Sequence, residues 1–175
     1  MPMTGLDDVL PPRPYPAAIY TGSTGEATAT IRRASTPPEV VYPSGNSCEY
    51  LARGEDTGGH FGLLKWNFGG APGQSEPHLH RTFSESFFLL SGSIQFFDGT
   101  SWSDAAPGDF VHVPPGGVHG YQNVSGAPAS MLVLFTPGAP REAYFESLRA
   151  MAEGSLALTD DEKASFFIAH DNVFV

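Results

Sequence analysis

The sequence predicts an all-β sandwich or barrel that carries helix only near its C-terminal end. Three observations lead there. Short apolar runs recur at regular intervals, each bounded by Gly, Pro, Asn or Asp. Glycine (20) and proline (16) are abundant among the 175 residues, which suits many short strands and turns and disfavours long helices. After Pro137-Gly138 the hydrophobic period lengthens to that of a helix.

Residues 1–46 are rich in Pro, Thr, Ser, Gly and Ala, and Pro11-Pro12, Pro14, Pro16 and Pro37-Pro38 block regular helix. They read as an N-terminal arm that wraps the surface or a neighbouring subunit, with a partly ordered tail as the alternative. Residues 47–136 hold the strand-rich body. A short strand is expected over Cys48–Arg53, then a turn over Gly54–Gly59, then a longer strand over His60–Phe68. With its even positions inward, Leu64, Trp66 and Phe68 face the interior, and Lys65 and Asn67 lie outside. Further strands follow at Ser84–Leu90, Ser93–Phe97, Asp109–Val113, His119–Asn123 and Ala129–Phe135.

Residues 137–175 read as a helical cap packed outside the barrel. Tyr144, Leu148 and Met151, with Phe145 beside them, fall on one helical face between Pro140 and Gly154. A second helix starts at Thr159, where Thr159-Asp160-Asp161-Glu162 has the capping-box pattern ahead of Phe166 and Phe167.

The chemistry concentrates between His78 and His119. In an extended strand the side chains of His78 and His80 point to the same face, a ready pair of imidazole ligands. Glu85 leads the apolar run Ser86-Phe87-Phe88-Leu89-Leu90, where a carboxylate is costly to bury unless a cation or hydrogen-bonding partner neutralises it. A strand, the turn Pro114-Pro115-Gly116-Gly117 and a returning strand can carry His119 back to those three. His78, His80, Glu85 and His119 are therefore the candidate ligands of one divalent transition metal. Three imidazoles and a carboxylate suit Ni, Fe, Mn, Co, Cu or Zn alike. His112, on the strand before the turn, is a candidate partner of a ligand from behind, with a structural or exposed role as the alternative, and His60 is a weaker candidate. His170 reads as unrelated to the site. Phe87 lies two residues beyond Glu85 and Tyr121 two beyond His119, so each shares a face with its neighbouring ligand. Trp66 and Phe135 join them as candidate substrate contacts, with plain barrel core as the alternative for all four.

Two motifs in this stretch give it a family likeness. His78-x-His80-x4-Glu85-x6-Gly92 resembles the first cupin motif, and Gly108-x5-Pro114-x-Gly116-x2-His119-x3-Asn123 resembles the second at every defined position. The leading glycine of the first motif is displaced by one residue, to Gly73. A looser likeness to single-domain cupins of the quercetin dioxygenase type extends to Gly54–Gly59 and to the tail from Phe145 to Val175. The resemblance implies a double-stranded β-helix, that is, a jelly-roll barrel, and a homodimer. It also implies a metal-dependent dioxygenase that cleaves a flavonol or another enolic aromatic substrate with O2, with Glu85 taking the substrate's proton. The same ligands serve a non-oxidative polyketide cyclase or isomerase, or a module that binds a small molecule without turnover.

The whole composition narrows the partners. A net charge of −10 repels phosphate backbones and anionic lipid heads, so neither nucleic acid nor membrane is expected as a partner. Cys48 is the single cysteine, which excludes an internal disulfide and a cysteine-based zinc cage. The N-terminal residues lack an apolar stretch behind a basic start, and a cytoplasmic location is expected.

Overall fold

A computed structural model of the chain describes residues 15–71 and 73–175. It resolves into two compact units, Met1–Arg32 and Arg33–Val175. In the first, residues 15–32 form neither helix nor strand, and the Tyr20 hydroxyl donates to the Thr24 carbonyl. The expected arm thus has its first fourteen residues outside the described ones. Its last part, from Arg33, belongs to the second unit.

That second unit is an antiparallel jelly roll. Its strands begin with β1 (Val40–Val41), β2 (Ser47–Ala52), β3 (Gly62–Phe68), β4 (Gly73–Gln74), β5 (His78–Leu79) and β6 (Ser84–Ser91). There follow β7 (Ile94–Phe97), β8 (Trp102–Ala105), β9 (Phe110–Val113), β10 (Gly120–Asn123) and β11 (Ala129–Thr136). Helices α1 (Glu142–Glu153) and α2 (Asp160–Ala169) precede the last strand, β12 (Val173–Phe174). One sheet runs β1-β2-β3-β11-β6-β9, a second β4-β10-β7-β8, and β12 pairs with β5 in a third.

Alternation along the central strands builds the core. On β3, Leu64, Trp66 and Phe68 are buried while Lys65 and Asn67 are not, the parity expected from the sequence. On β11, Met131, Val133 and Phe135 face the same interior. The register sets Val133 between Leu64 and Phe87, and Met131 between Trp66 and Leu89. Cys48 and Val40 close the interior at the edge formed by β1 and β2. Strand β8 was not legible beforehand, because Trp102-Ser103-Asp104 is exposed and polar and is held extended by its pairing with β7.

The helices meet the sheet through aromatic side chains. Tyr144 and Phe145 of α1 are buried, with the Phe145 ring against Trp66. The hydroxyls of Tyr42 and Tyr50 donate to the carbonyls of Phe145 and Glu142. α2 opens with the expected capping box: Thr159 accepts from the Glu162 backbone N–H, and the Glu162 carboxylate accepts from that of Thr159. No helix among the described residues is long and apolar enough to cross a membrane.

Gly92 shows how tightly the turn between β6 and β7 is built. Its φ is +79°, and a Cβ there would lie 2.5 Å from the Ala129 Cβ and 2.7 Å from the Pro128 carbonyl oxygen. Left-handed backbone costs a non-glycine residue about 1–2 kcal/mol, and overpacking adds about 1–3 kcal/mol. Gly92→Ala should therefore lower stability by about 2–5 kcal/mol in urea unfolding; an unchanged midpoint would contradict the geometry.

Candidate metal centre

Three segments bring the four candidate ligands together. His78 lies in β5, and its backbone exchanges N–H···O bonds of 2.9 Å in each direction with that of His119, just ahead of β10. His80 follows two residues after His78. Glu85 is the second residue of β6, where Phe135 of β11 and Val113 of β9 flank it. All four side chains are buried, and one donor atom from each lies within 4.8 Å of every other. Ligand atoms bound at about 2.0–2.2 Å from one ion stand at most about 4.4 Å apart, so the cluster needs to close by only a few tenths of an ångström.

The imidazoles are already aimed. Nδ1 of His78 lies 2.7 Å from the Glu76 carbonyl oxygen, Nδ1 of His80 2.6 Å from that of Asp171, and Nδ1 of His119 3.1 Å from that of Gly117. A carbonyl oxygen only accepts, so each Nδ1 carries the proton and donates, and a neutral ring then presents the Nε2 lone pair. The Nε2 atoms of His80 and His119 lie 3.1 and 2.8 Å from Oε2 of Glu85. A carboxylate also only accepts, so lone pairs confront one another unless a proton or a cation sits among them. Such a donor set fits a divalent metal.

The electrostatics point the same way. Burial acts to raise the Glu85 carboxyl, but where a proton sits between it and the rings of His119 and His80 their hydrogen bonds outweigh burial and hold the group well below its usual range. Burial, with His119 nearby, presses His78 down to about 4. Burial also acts to lower His119, yet its bond to Glu85 leaves it raised. A cation at the centre would satisfy the carboxylate and the Nε2 lone pairs without charging the rings.

Aromatic residues surround the cluster. Phe83 stacks on His80, and Phe135 packs edge-on against Phe83. Phe87 touches His119, Phe96 and Tyr121. Phe87 and Phe135 are buried in the core. Trp66 and Tyr121, in contrast, line a cavity of about 270 Å³ whose other walls include Phe68, Tyr144, Asn172 and Phe174. Ser75 and Glu76 line it too, and both contact Nδ1 of His78. Burial and the nearby Glu85 charge hold the Tyr121 phenol well above its usual value, so it remains a neutral O–H.

Of the two readings of His112, the structural or exposed one holds and the inward one does not. Glu85 pairs with Val113 and Ser86 with His112, so His112 is on the opposite face of the sheet from Glu85 and bonds Ser86 Oγ at 2.9 Å. His60 is exposed. The His170 ring packs on Phe166 and Tyr144 and is not among the clustered ligands. Sequence reasoning missed Asp171, Asn172 and Phe174, which reach the site only because β12 returns beside β5. An Asp-Asn pair closing a capped helix was the one available signal.

The fold is a jelly-roll barrel, and it buries a cluster of three histidines and one carboxylate. Residues 68–135 match the cupin domain family. Among curated proteins none matches the chain. Of solved structures, KdgF from Halomonas sp. is similar at 17% identity and a TM-score of 0.54, over 65% of this chain and 94% of that one. The polyketide cyclase RemF from Streptomyces resistomycificus is similar at 21% identity and a TM-score of 0.52, over 62% and 78%. An oxalate oxidase is similar at 18% identity and a TM-score of 0.52, over 67% and 64%. At these identities the likeness establishes the barrel alone.

A pH dependence follows from His78. Its folded-state value lies below the ordinary 6.5, so as pH falls the unfolded chain takes up that proton first and stability drops. Metal-free protein should lose stability between pH 6.5 and about 4, and His78→Gln should flatten that slope in denaturant titrations at stepped pH. A wild-type profile flat across the window would contradict the assignment.

Proposed function

We propose that the chain is a metal-dependent dioxygenase acting on a flat, enolic aromatic substrate such as a flavonol. The observation that carries this reading is the adjacency of two features. One is the cluster of His78, His80, Glu85 and His119 aimed at a common point. The other is an aromatic-walled cavity that shares Ser75, Glu76 and Tyr121 with the surroundings of that cluster. The cavity, about 270 Å³, lies near the lower end of the range of about 300–1,000 Å³ typical of small-molecule pockets. That size suits one compact ring system and not a polymer.

A divalent cation held by the four ligands would supply a Lewis acid that lowers the pKa of an enol hydroxyl placed against it. The remaining work falls to the chain's own groups. Trp66, Phe68 and Tyr121 offer ring faces and edges to a planar substrate, and the apolar walls exclude water from its reacting face. Tyr121, kept protonated, can donate to a substrate oxygen. Glu85 is placed to receive the enol proton. While it shares a cation with the three imidazoles it would be a weak base, because the positive charge holds a carboxyl low. Release from those contacts leaves burial dominant, and burial raises its basicity. A substrate oxygen arriving at the centre is the event that would release it. Deprotonation makes the ring system electron-rich, the condition for oxidation by O2 with cleavage of the carbon skeleton.

The second reading is a non-oxidative reaction at the same ligands, favoured by the likeness to RemF, whose description is a polyketide cyclase. Both readings use an enolate; they differ in the need for oxygen.

Turnover of a flavonol panel, followed by absorbance with and without O2, separates them. Oxygen consumption matching substrate loss is expected, and product formed at the same rate under strict anaerobiosis would replace the dioxygenase with the cyclase reading. Glu85→Ala should depress kcat by about 100-fold or more while shifting substrate Kd far less. A variant with near-normal rate would place the base elsewhere.

A further inference from the structure

The last residues of the chain converge on one ligand of the centre. His80 Nδ1 donates to the backbone carbonyl of Asp171 at 2.6 Å. The Asp171 side chain reaches back to the residues that follow His80: its Oδ2 accepts from the Arg81 N–H at 2.9 Å, and from the Thr82 N–H and hydroxyl at 2.8 Å each. The turn carrying His80 and the tail carrying Asp171 are thus tied at four points. Asp171 itself adopts a left-handed backbone, φ 56°, a conformation that Asp tolerates better than most side chains.

A buried cation grips both neighbours of Asp171. Arg141, 6% exposed, donates through Nη1 to the His170 carbonyl at 2.6 Å and through Nη2 to Oδ1 of Asn172 at 3.0 Å. Its guanidinium lies over the Tyr144 ring, 3.9 Å from the centroid. Asn172 in turn donates to the Tyr144 hydroxyl. Beyond it, β12 pairs Val173 with Leu79 and Phe174 with His78. Asn172 and Phe174 then complete the wall of the cavity beside the cluster.

Resting on the metal reading above, we propose that the C-terminal segment His170–Phe174 is part of the metal centre, with Asp171 as the positioning residue of His80. Its side chain holds the turn in place while its carbonyl fixes the ring with the proton on Nδ1 and Nε2 turned inward. A loosened tail leaves His80 free to rotate and raises the cost of assembling the four ligands around an ion. The residues that set this ligand stand some ninety positions away from it in sequence, on the tail that also borders the cavity.

The test is the affinity for Co2+ and Zn2+ of chelator-treated, refilled protein, measured for the wild type, Asp171→Gly, Asp171→Asn and Glu162→Ala. Glycine accepts the left-handed backbone and removes the three side-chain bonds, so Kd should rise by about 10–100-fold. Asparagine keeps an acceptor oxygen and should recover most of the affinity. Glu162→Ala removes the cap at the far end of α2 and should leave Kd within about twofold at equal or greater loss of thermal stability. Equal affinities in wild type and Asp171→Gly, or an equal loss in Glu162→Ala, would overturn the proposal. Wild-type protein that takes up neither ion would instead sink the metal reading on which it rests. An independent readout is the His80 imidazole in one-bond and long-range 1H–15N spectra of the metal-free wild type. A slowly exchanging Nδ1–H is expected, and a ring unprotonated at Nδ1 would overturn the proposal even if every variant failed to fold.

Discussion

Everything near the centre of this barrel depends on the spacing between acceptors that ought to repel. Three backbone carbonyls, those of Glu76, Gly117 and Asp171, take the Nδ1 protons of three histidines. Their Nε2 atoms are thereby committed to the middle, where a carboxylate oxygen already stands 2.8–3.1 Å from two of them. In a buried site such an arrangement is costly when empty of positive charge and favourable when filled. The surrounding strands keep the four donors from relaxing apart.

That restraint comes from the sheet register. Glu85 is fixed from both sides, by β11 and β9, and His78 is fixed by its reciprocal backbone bonds to His119. Aromatic rings pack against the ligands as well: Phe83 stacks on His80 and is backed by Phe135, and Phe87 lies against His119. Trp66 and Tyr121 line the cavity nearby, together with Ser75 and Glu76, which contact His78.

Much of this was legible in the residues themselves. The i, i+2 histidines and the carboxylate at the head of an apolar run announced a ligand set, because each is expensive to bury alone. The inward parity of Leu64, Trp66 and Phe68 and the cap at Thr159 are local properties, and local signals carry them. What escaped depends on pairing between distant segments. The two readings of His112 stayed open because its side is set by the register of β9 against β6, which spacing along the chain does not encode. The roles of Arg141, Asp171 and Asn172 were hidden for the same reason: two of them sit at the end of a helix and earn their positions only when β12 lies beside β5. Strand β8, exposed and polar, owes its shape to a neighbour and not to its own composition.

The most direct test of this account is the metal content and coordination of protein purified from cells without added chelator. Elemental analysis should find close to one transition-metal ion per chain, and X-ray absorption should show nitrogen and oxygen ligands at about 2.0–2.2 Å. That signal should be lost when His78 and His119 are both replaced. Protein that remains metal-free after exposure to each of Ni, Fe, Mn, Co, Cu and Zn, or that binds the ion equally well without those two histidines, would contradict it.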